Sequence, residues 1–262
     1  MSDDEGSITT ETRDHLFLIG IDRPAKLNGF TPPMMEQLID AYTHLDESDD
    51  AWVGVLFAHG DNFTAGLDLP KWSERMKGGE RREADRSRVD PTALGRSCRK
   101  PIVTAVKGIT YTLGIELMLA GDIVIAADNC RFSQLEPKRG IHATGGATIR
   151  FVERGGWGNA MYHLLTSNEF DAAEARRIGL VQEVVPAGTE LDRAIELAEI
   201  ITEGAPMAVQ ATKASSLRYL LEGQEAATAA LGSVQAELAG TDDAAEGVAS
   251  FIEKRPPIFT GR

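Results

Sequence analysis

The chain has 262 residues, 42% of them apolar and 26% charged, the composition of a globular protein large enough for a substantial core. A formal net charge of −13 argues against nucleic acid or anionic lipid as a default partner. No apolar run approaches the roughly 18 residues needed to cross a bilayer, and the acidic MSDDEGS start is not that of a signal peptide.

Residues 1–12 read as a frayed acidic tail. The run HLFLIGI over 15–21 predicts a strand. A loop over 22–30 follows, and Thr31 before Pro32 marks a helix start, with Met34, Leu38, Tyr42 and Leu45 as its apolar face. Residues 51–58 predict a buried strand, and 60–66 a glycine-containing loop. Further strands are expected over 102–106, 123–127, 131–134 and 181–185, with helices over 114–120 and 147–154. This alternation predicts an α/β layered core. Beyond Pro186 the pattern becomes helical: Leu191, Ile195, Ala198 and Ile201 share a face, and alanine-rich helices are expected over 207–221 and 225–239. A core over 1–195 and a helical region over 196–262 follow from that change of texture. The many apolar positions in the latter call for a partner surface, either the core or another subunit.

Residues 71–100 hold ten basic and five acidic residues, a net +5 that leaves −18 on the remainder of the chain. Such a stretch reads either as a solvated helix and loop or as a patch that draws an anionic ligand. The two cysteines, Cys98 and Cys130, make no disulfide framework and have no neighbouring ligands at metal spacing, so packed or surface thiols in a reducing cytoplasm are expected. His15, His44, His59, His142 and His163 form no paired metal motif. Dinucleotide-binding, phosphate-loop and nucleophile-elbow glycine motifs are all missing from the sequence.

Two glycine turns and two glutamates remain. The first turn, Asn62 to Leu69 (NFTAGLDL), follows a predicted strand, and Ala65-Gly66 lets a ligand approach the backbone. The second, Gly108 to Leu117 (GITYTLGIEL), leads into a helix whose first N–H groups favour an anion. Glu116 lies in the first turn of that apolar helix, where an unpaired carboxylate is costly. Glu136 follows a strand and precedes Lys138 and Arg139. Taken alone, Glu116 reads as a charge that stabilises the helix start or as a structural ion pair, and Glu136 as a surface carboxylate paired with Lys138 or Arg139; spacing alone favours these readings over a catalytic pair.

The order of motifs adds to this. Arg23-Pro24-Ala25-Lys26-Leu27-Asn28 resembles the RPxxxN loop of the crotonase (enoyl-CoA hydratase/isomerase) superfamily, and FTAGLDL over 63–69 its FxAGxDL turn. Residues 108–122, Phe132 to Glu136, 171–185 and the FIEKRPPIFTGR end resemble further family segments, so the resemblance covers nearly the whole chain. It implies a crotonase-like spiral core of repeated ββα units with a C-terminal helical trimerisation region. By the same resemblance Glu116 and Glu136 are the acid/base pair, and the backbone N–H groups of Leu67 and Leu113 hold an enolate oxygen. Lys26, Ala65, Gly66, Asp68 and Leu69 then bind coenzyme A, which is part of the substrate; no separate cofactor or metal is implied. Phe259 either stacks on adenine, in a neighbouring subunit, or packs in its own tail. Having both glutamates favours a 2-enoyl-CoA hydratase over a delta-isomerase and, with the net charge of −13, counts against a non-catalytic scaffold; a hydrolase or decarboxylase of the superfamily stays as an alternative. A homotrimer or homohexamer in the cytoplasm is expected. Two departures stand out: Leu113 occupies a position where glycine is usual, which points to selection among acyl groups, and Ile141-His142-Ala143-Thr144-Gly145-Gly146 lacks the usual proline and adds a histidine as a wall residue.

Overall fold

The computed structural model describes residues 5–77 and 86–262. In chain order these form β1 (Ser7–Arg13), β2 (Leu16–Asp22), α1 (Pro32–Glu47), β3 (Val53–Ala58), α2 (Leu69–Lys77), β4 (Ile102–Val106), β5 (Ile109–Tyr111), α3 (Leu113–Ala120), β6 (Ile123–Ala127), β7 (Arg131–Ser133) and α4 (Ala147–Thr166). Then follow β8 (Phe170–Asp171), α5 (Ala172–Arg177), β9 (Glu183–Val185), α6 (Glu190–Thr202), α7 (Pro206–Glu222), α8 (Gln224–Ala239) and α9 (Asp242–Glu253).

One sheet has the order β1-β2-β3-β4-β6-β9, and β5-β7-β8 make a second. From β2 to β9 the large sheet is parallel. Its strands are nearly continuous apolar runs because both faces are covered. In β2 the side-chain alternation is explicit: Phe17, Ile19 and Ile21 pack in the core with α1, while Leu16 and Leu18 face Ala194 and Ala198 of α6. Thr31 accepts the Met34 N–H and starts α1.

The chain gives one strand to each sheet and then a helix. β4, β5 and α3 are one such unit, and β6, β7 and α4 another. Ahead of them β3 is followed by Thr64, which bridges to Thr110 of β5, and then by α2. This repetition is the expected spiral of ββα units, and it places successive strand-to-helix turns side by side.

Three sequence expectations change. The expected frayed tail contains β1, antiparallel to β2 over Ser7 to Arg13. It is a polar edge strand whose Thr and Glu residues conceal the period-two pattern. The helix expected over 147–154 runs to Thr166, because the chain resumes helix after a break at Gly156 (φ 73°, ψ 162°). The strand expected over 181–185 holds only 183–185, and α9 was not anticipated. Residue 195, where the texture changes, lies inside α6. Phe259 packs within its own chain against the cluster around α6.

The basic stretch acquires a specific role. Arg88 pairs with Glu36 (2.9 Å) and Asp40 (2.5 Å), Arg96 with Asp46 (2.6 Å), and Arg99 with Asp46 (3.2 Å), so these cations anchor the 86–100 segment to α1. Lys100 donates to the Ser48 carbonyl. Arg81 and Arg82, with the side chains of Arg75 and Lys77, lie outside the described residues. Both cysteines are buried, and burial pushes their thiols up to about 12. That makes them packing groups rather than nucleophiles. Among the described residues no helix is long and apolar enough to cross a membrane.

Candidate active site

A cavity of about 680 Å³ opens between the turn before α2, the start of α3 and the segment between β7 and α4. Ala65, Leu67, Leu69, Leu113, Glu116 and Glu136 all line it, so six of the nine sequence-predicted site residues converge there. Gly66 and Asp68 do not line it, and Lys26 is exposed outside the lining.

The first wall is a tied loop. Asn28 donates to the carbonyls of His59 (2.9 Å) and Asn62 (2.8 Å), and Arg23 Nη1 pairs with Asp68 at 2.8 Å. Asp68 therefore serves first as a counter-ion that locks the RPAKLN segment to the FTAGLDL turn. The Ala65 N–H donates to Leu27 O (2.9 Å), and the Asp68 N–H to Phe30 O (2.9 Å). Gly66, at φ 103°, presses on Thr112: a Cβ there would collide with the Thr112 hydroxyl. Thr112 itself adopts φ 48°, ψ −113°, and its N–H is held by Ser133 O at 2.9 Å. That unusual backbone sets the direction of the α3 start. Among the described residues, neither the Leu67 N–H nor the Leu113 N–H donates a hydrogen bond within the chain. Leu113 is the first residue of α3, where an N–H has no intrahelical acceptor.

Glu116 is only 5% exposed. Its Oε1 accepts the Gly145 N–H at 2.6 Å and the Ala147 N–H at 3.4 Å. Burial raises its carboxyl above the ordinary range, while those two N–H groups and the charges of Arg150 and His142 pull it back. Glu136 opens a 3-10 turn, Glu136–Arg139, ended by Gly140 at φ 72°. It is 8% exposed, and its Oε2 has no hydrogen-bond partner among the described residues. Burial, reinforced by the nearby Glu116 charge, pushes its carboxyl up to about 7. The two carboxyls are thus unlike: one is gripped by backbone donors, the other is desolvated and free to carry a proton.

His142 is an exposed wall residue, with Nδ1 2.9 Å from the Ala143 carbonyl. Sequence reasoning missed Met35, Trp72, Thr92, Thr112 and Leu135, which also line the cavity. Arg139 and Ile141 could have been found, since they follow Glu136 on the same short segment; Thr92 had no signal. A hollow of about 710 Å³ near Arg131, His163 and Glu174 contains none of the predicted residues. Its acids are engaged: Glu169 pairs with Arg131 (2.6 Å), and Glu174 with Arg177 (2.6 Å) and His163 (3.2 Å).

Residues 11–262 match the profile of the enoyl-CoA hydratase/isomerase family. The chain belongs to that family. It is 32% identical over 254 residues to enoyl-CoA hydratase EchA19 of Mycobacterium tuberculosis, with 96% of each chain covered. It is 30% identical over 255 residues to the 2,3-dehydroadipyl-CoA hydratase of Escherichia coli (95% of this chain, 97% of the relative). Among solved structures, a probable enoyl-CoA hydratase/isomerase from Mycobacterium abscessus superimposes with a TM-score of 0.93 at 41% identity, covering 98% and 99% of the two chains. The mixed α/β fold with its parallel sheet is therefore the crotonase fold, and the family membership makes the chain an acyl-CoA-processing enzyme.

Proposed function

We propose that this enzyme is a 2-enoyl-CoA hydratase that adds water across the conjugated double bond to give a 3-hydroxyacyl-CoA. The observation that carries this reading is the pair of unlike carboxyls, Glu116 and Glu136, on one cavity. Hydration needs a base and an acid at once, and two glutamates in different surroundings supply them.

The thioester oxygen lies against the N–H groups of Leu67 and Leu113, which stabilise the negative charge that builds there. Losing one such donor costs about 10²–10³-fold in rate. With electrons drawn toward that oxygen, C3 becomes electrophilic. Glu116, as the carboxylate, takes a proton from water while the water oxygen bonds to C3. Glu136, as the acid, gives its proton to C2. One water has then been added, Glu116 ends protonated and Glu136 ionised, and exchange with solvent resets both. Burial raises the Glu116 carboxyl, and the Gly145 and Ala147 N–H groups oppose that rise and favour its ionised form, while burial with little opposition favours the protonated form of Glu136, so the two are biased toward different roles.

Coenzyme A runs past Lys26, Ala65, Gly66 and Leu69, with the backbone of the turn making most contacts; Asp68 contributes by holding that turn through Arg23. Leu113 narrows the acyl end of the cavity. The apolar residues on the C-terminal helices, including Leu221 (73% exposed) and Phe251 (84% exposed), form the contact surface of a homotrimer or a homohexamer. The enzyme works in the cytoplasm on free acyl-CoA thioesters.

The test is the loss of enoyl-thioester absorbance with crotonyl-CoA and longer 2-enoyl-CoA substrates, run beside Glu116→Gln and Glu136→Gln. Turnover in the parent and loss in both variants is expected. Turnover of 3-enoyl substrates alone, with dependence on Glu136 alone, would favour the isomerase.

A further inference from the structure

Arg150, in the first turn of α4, lies outside the cavity lining, yet its guanidinium reaches two walls of it. Nη1 donates to Gly145 O (3.3 Å), and Nη2 to Thr92 O (2.7 Å) and Ala93 O (3.2 Å). The Gly145 residue whose carbonyl it holds is the one whose N–H binds Glu116 at 2.6 Å. A Cβ on neighbouring Gly146, at φ 103°, would lie 2.2 Å from Arg150 Nη1, so the guanidinium packs directly on the turn. On the other side, Asp90 ties the 90–95 loop by accepting the N–H groups of Thr92 (2.9 Å), Leu94 (3.2 Å) and Gly95 (2.9 Å).

We infer that Arg150 is the positioning residue of the catalytic base: it clamps the Gly145 turn to the 90–95 loop and so fixes the N–H that orients and charges Glu116. A planar group with several donors suits this task, since it bridges carbonyls from two segments at once, which a lysine ammonium does with less directional constraint. A carbonyl has no charge to neutralise, so the cation is not consumed by an ion pair. The charged groups that bear on Arg150 are Asp90, Glu116 and Glu153; Arg154 is the neighbouring cation. Those that bear on Glu116 are Arg150, His142 and Glu136. The direction of its field is therefore known: it favours the ionised form of Glu116.

The inference rests on the hydratase reading for its kinetic arm and has a second arm that does not. Arg150→Met and Arg150→Lys are compared with the parent for kcat, KM and the pH profile on crotonyl-CoA, and for amide hydrogen exchange over 143–148. Displacing the base by about 1 Å is expected to lower kcat by about 10²-fold in Arg150→Met, with KM little changed. The acid limb of kcat moves to higher pH, because Glu116 is harder to ionise without the cation. Exchange over 143–148 quickens, and Arg150→Lys recovers part of each effect. Parent-like kcat, pH profile and exchange in Arg150→Met would overturn the inference. So would equal damage in both variants with protection lost throughout the chain, which marks a merely structural group. If the parent hydrates no 2-enoyl-CoA, the hydratase reading fails separately. Exchange then decides alone: quickening confined to 143–148 upholds the clamp, and unchanged exchange refutes it.

Discussion

Gly66 and Thr112 are pressed together so closely that a single methyl group on the glycine would lie 1.9 Å from the threonine hydroxyl oxygen. They belong to the two turns whose next residues, Leu67 and Leu113, present N–H groups without a partner in the chain among the described residues. The contact therefore sets the spacing of the proposed oxyanion donors.

Gly66→Ala forces two adjustments, since φ 103° also disfavours any side chain. The two turns separate, and at least one donor leaves its position. A fall in kcat of about 10²–10³-fold is expected on crotonyl-CoA, with a smaller change in thermal stability. Parent-like kcat would show that the spacing of these turns is not critical.

Glu136 gives a prediction in which activity and stability move oppositely. Its folded carboxyl is raised from 4.5 to about 7, so the folded state holds the proton more tightly than the unfolded chain. The associated stability is complete below about pH 4.5 and is lost as pH rises through about 7. At 1.36 kcal/mol per unit, the loss is on the order of 3 kcal/mol. Glu136→Gln keeps the shape and removes the charge, so its melting temperature should exceed the parent's near pH 8 and approach it near pH 5. For the parent, kcat for hydration should decline as pH rises above about 7, as the acid loses its proton. A Glu136→Gln variant less stable than the parent near pH 8 would contradict the account.

Asp46 is buried at 1% exposure, and the Arg99 N–H donates to it at 2.6 Å. Burial opposes its charge, but that N–H and the Arg96 and Arg99 guanidinium groups hold its carboxyl below the usual range. Asp46→Asn should destabilise by about 1–3 kcal/mol at neutral pH. The deficit should shrink as pH falls through the parent's lowered value, because the parent then loses its own charge. Denaturant unfolding at two pH values measures this. An equal deficit at both would mean that the ion pairs are not the cause.

Leu113 lines the cavity, and its backbone N–H is one of the proposed oxyanion donors. Leu113→Ala keeps the N–H and widens the cavity. The ratio of kcat/KM for long or branched 2-enoyl-CoA to that for crotonyl-CoA should rise, by about 10-fold for each 1.4 kcal/mol of steric exclusion relieved. An unchanged ratio would remove Leu113 as a selector.

These residues also show why some of the molecule was legible in sequence and some was not. The central strands could be read because burial on both faces demands unbroken apolar runs such as 15–21 and 102–106. β1 could not, because one polar edge strand carries too few apolar residues to reveal its period. Glu116 and Glu136 were ambiguous as isolated charges, and the order of family-like motifs around them singled them out as a pair. Their difference was hidden, since it comes from Gly145, nearly thirty positions away from Glu116 in the chain, and from burial. The basic stretch read as a possible ligand patch because its acidic partners, Glu36, Asp40 and Asp46, lie on a helix distant in sequence. Arg150 was silent for the same reason: its acceptors are carbonyls, which sequence does not distinguish.

Incubating the enzyme with crotonyl-CoA in heavy-oxygen water and weighing the product shows directly whether the glutamate pair adds water across the double bond. The expected product is a 3-hydroxyacyl-CoA carrying one heavy oxygen at C3, formed by the parent and lost with either Glu116→Gln or Glu136→Gln. A product without solvent oxygen, or unchanged substrate, would contradict it.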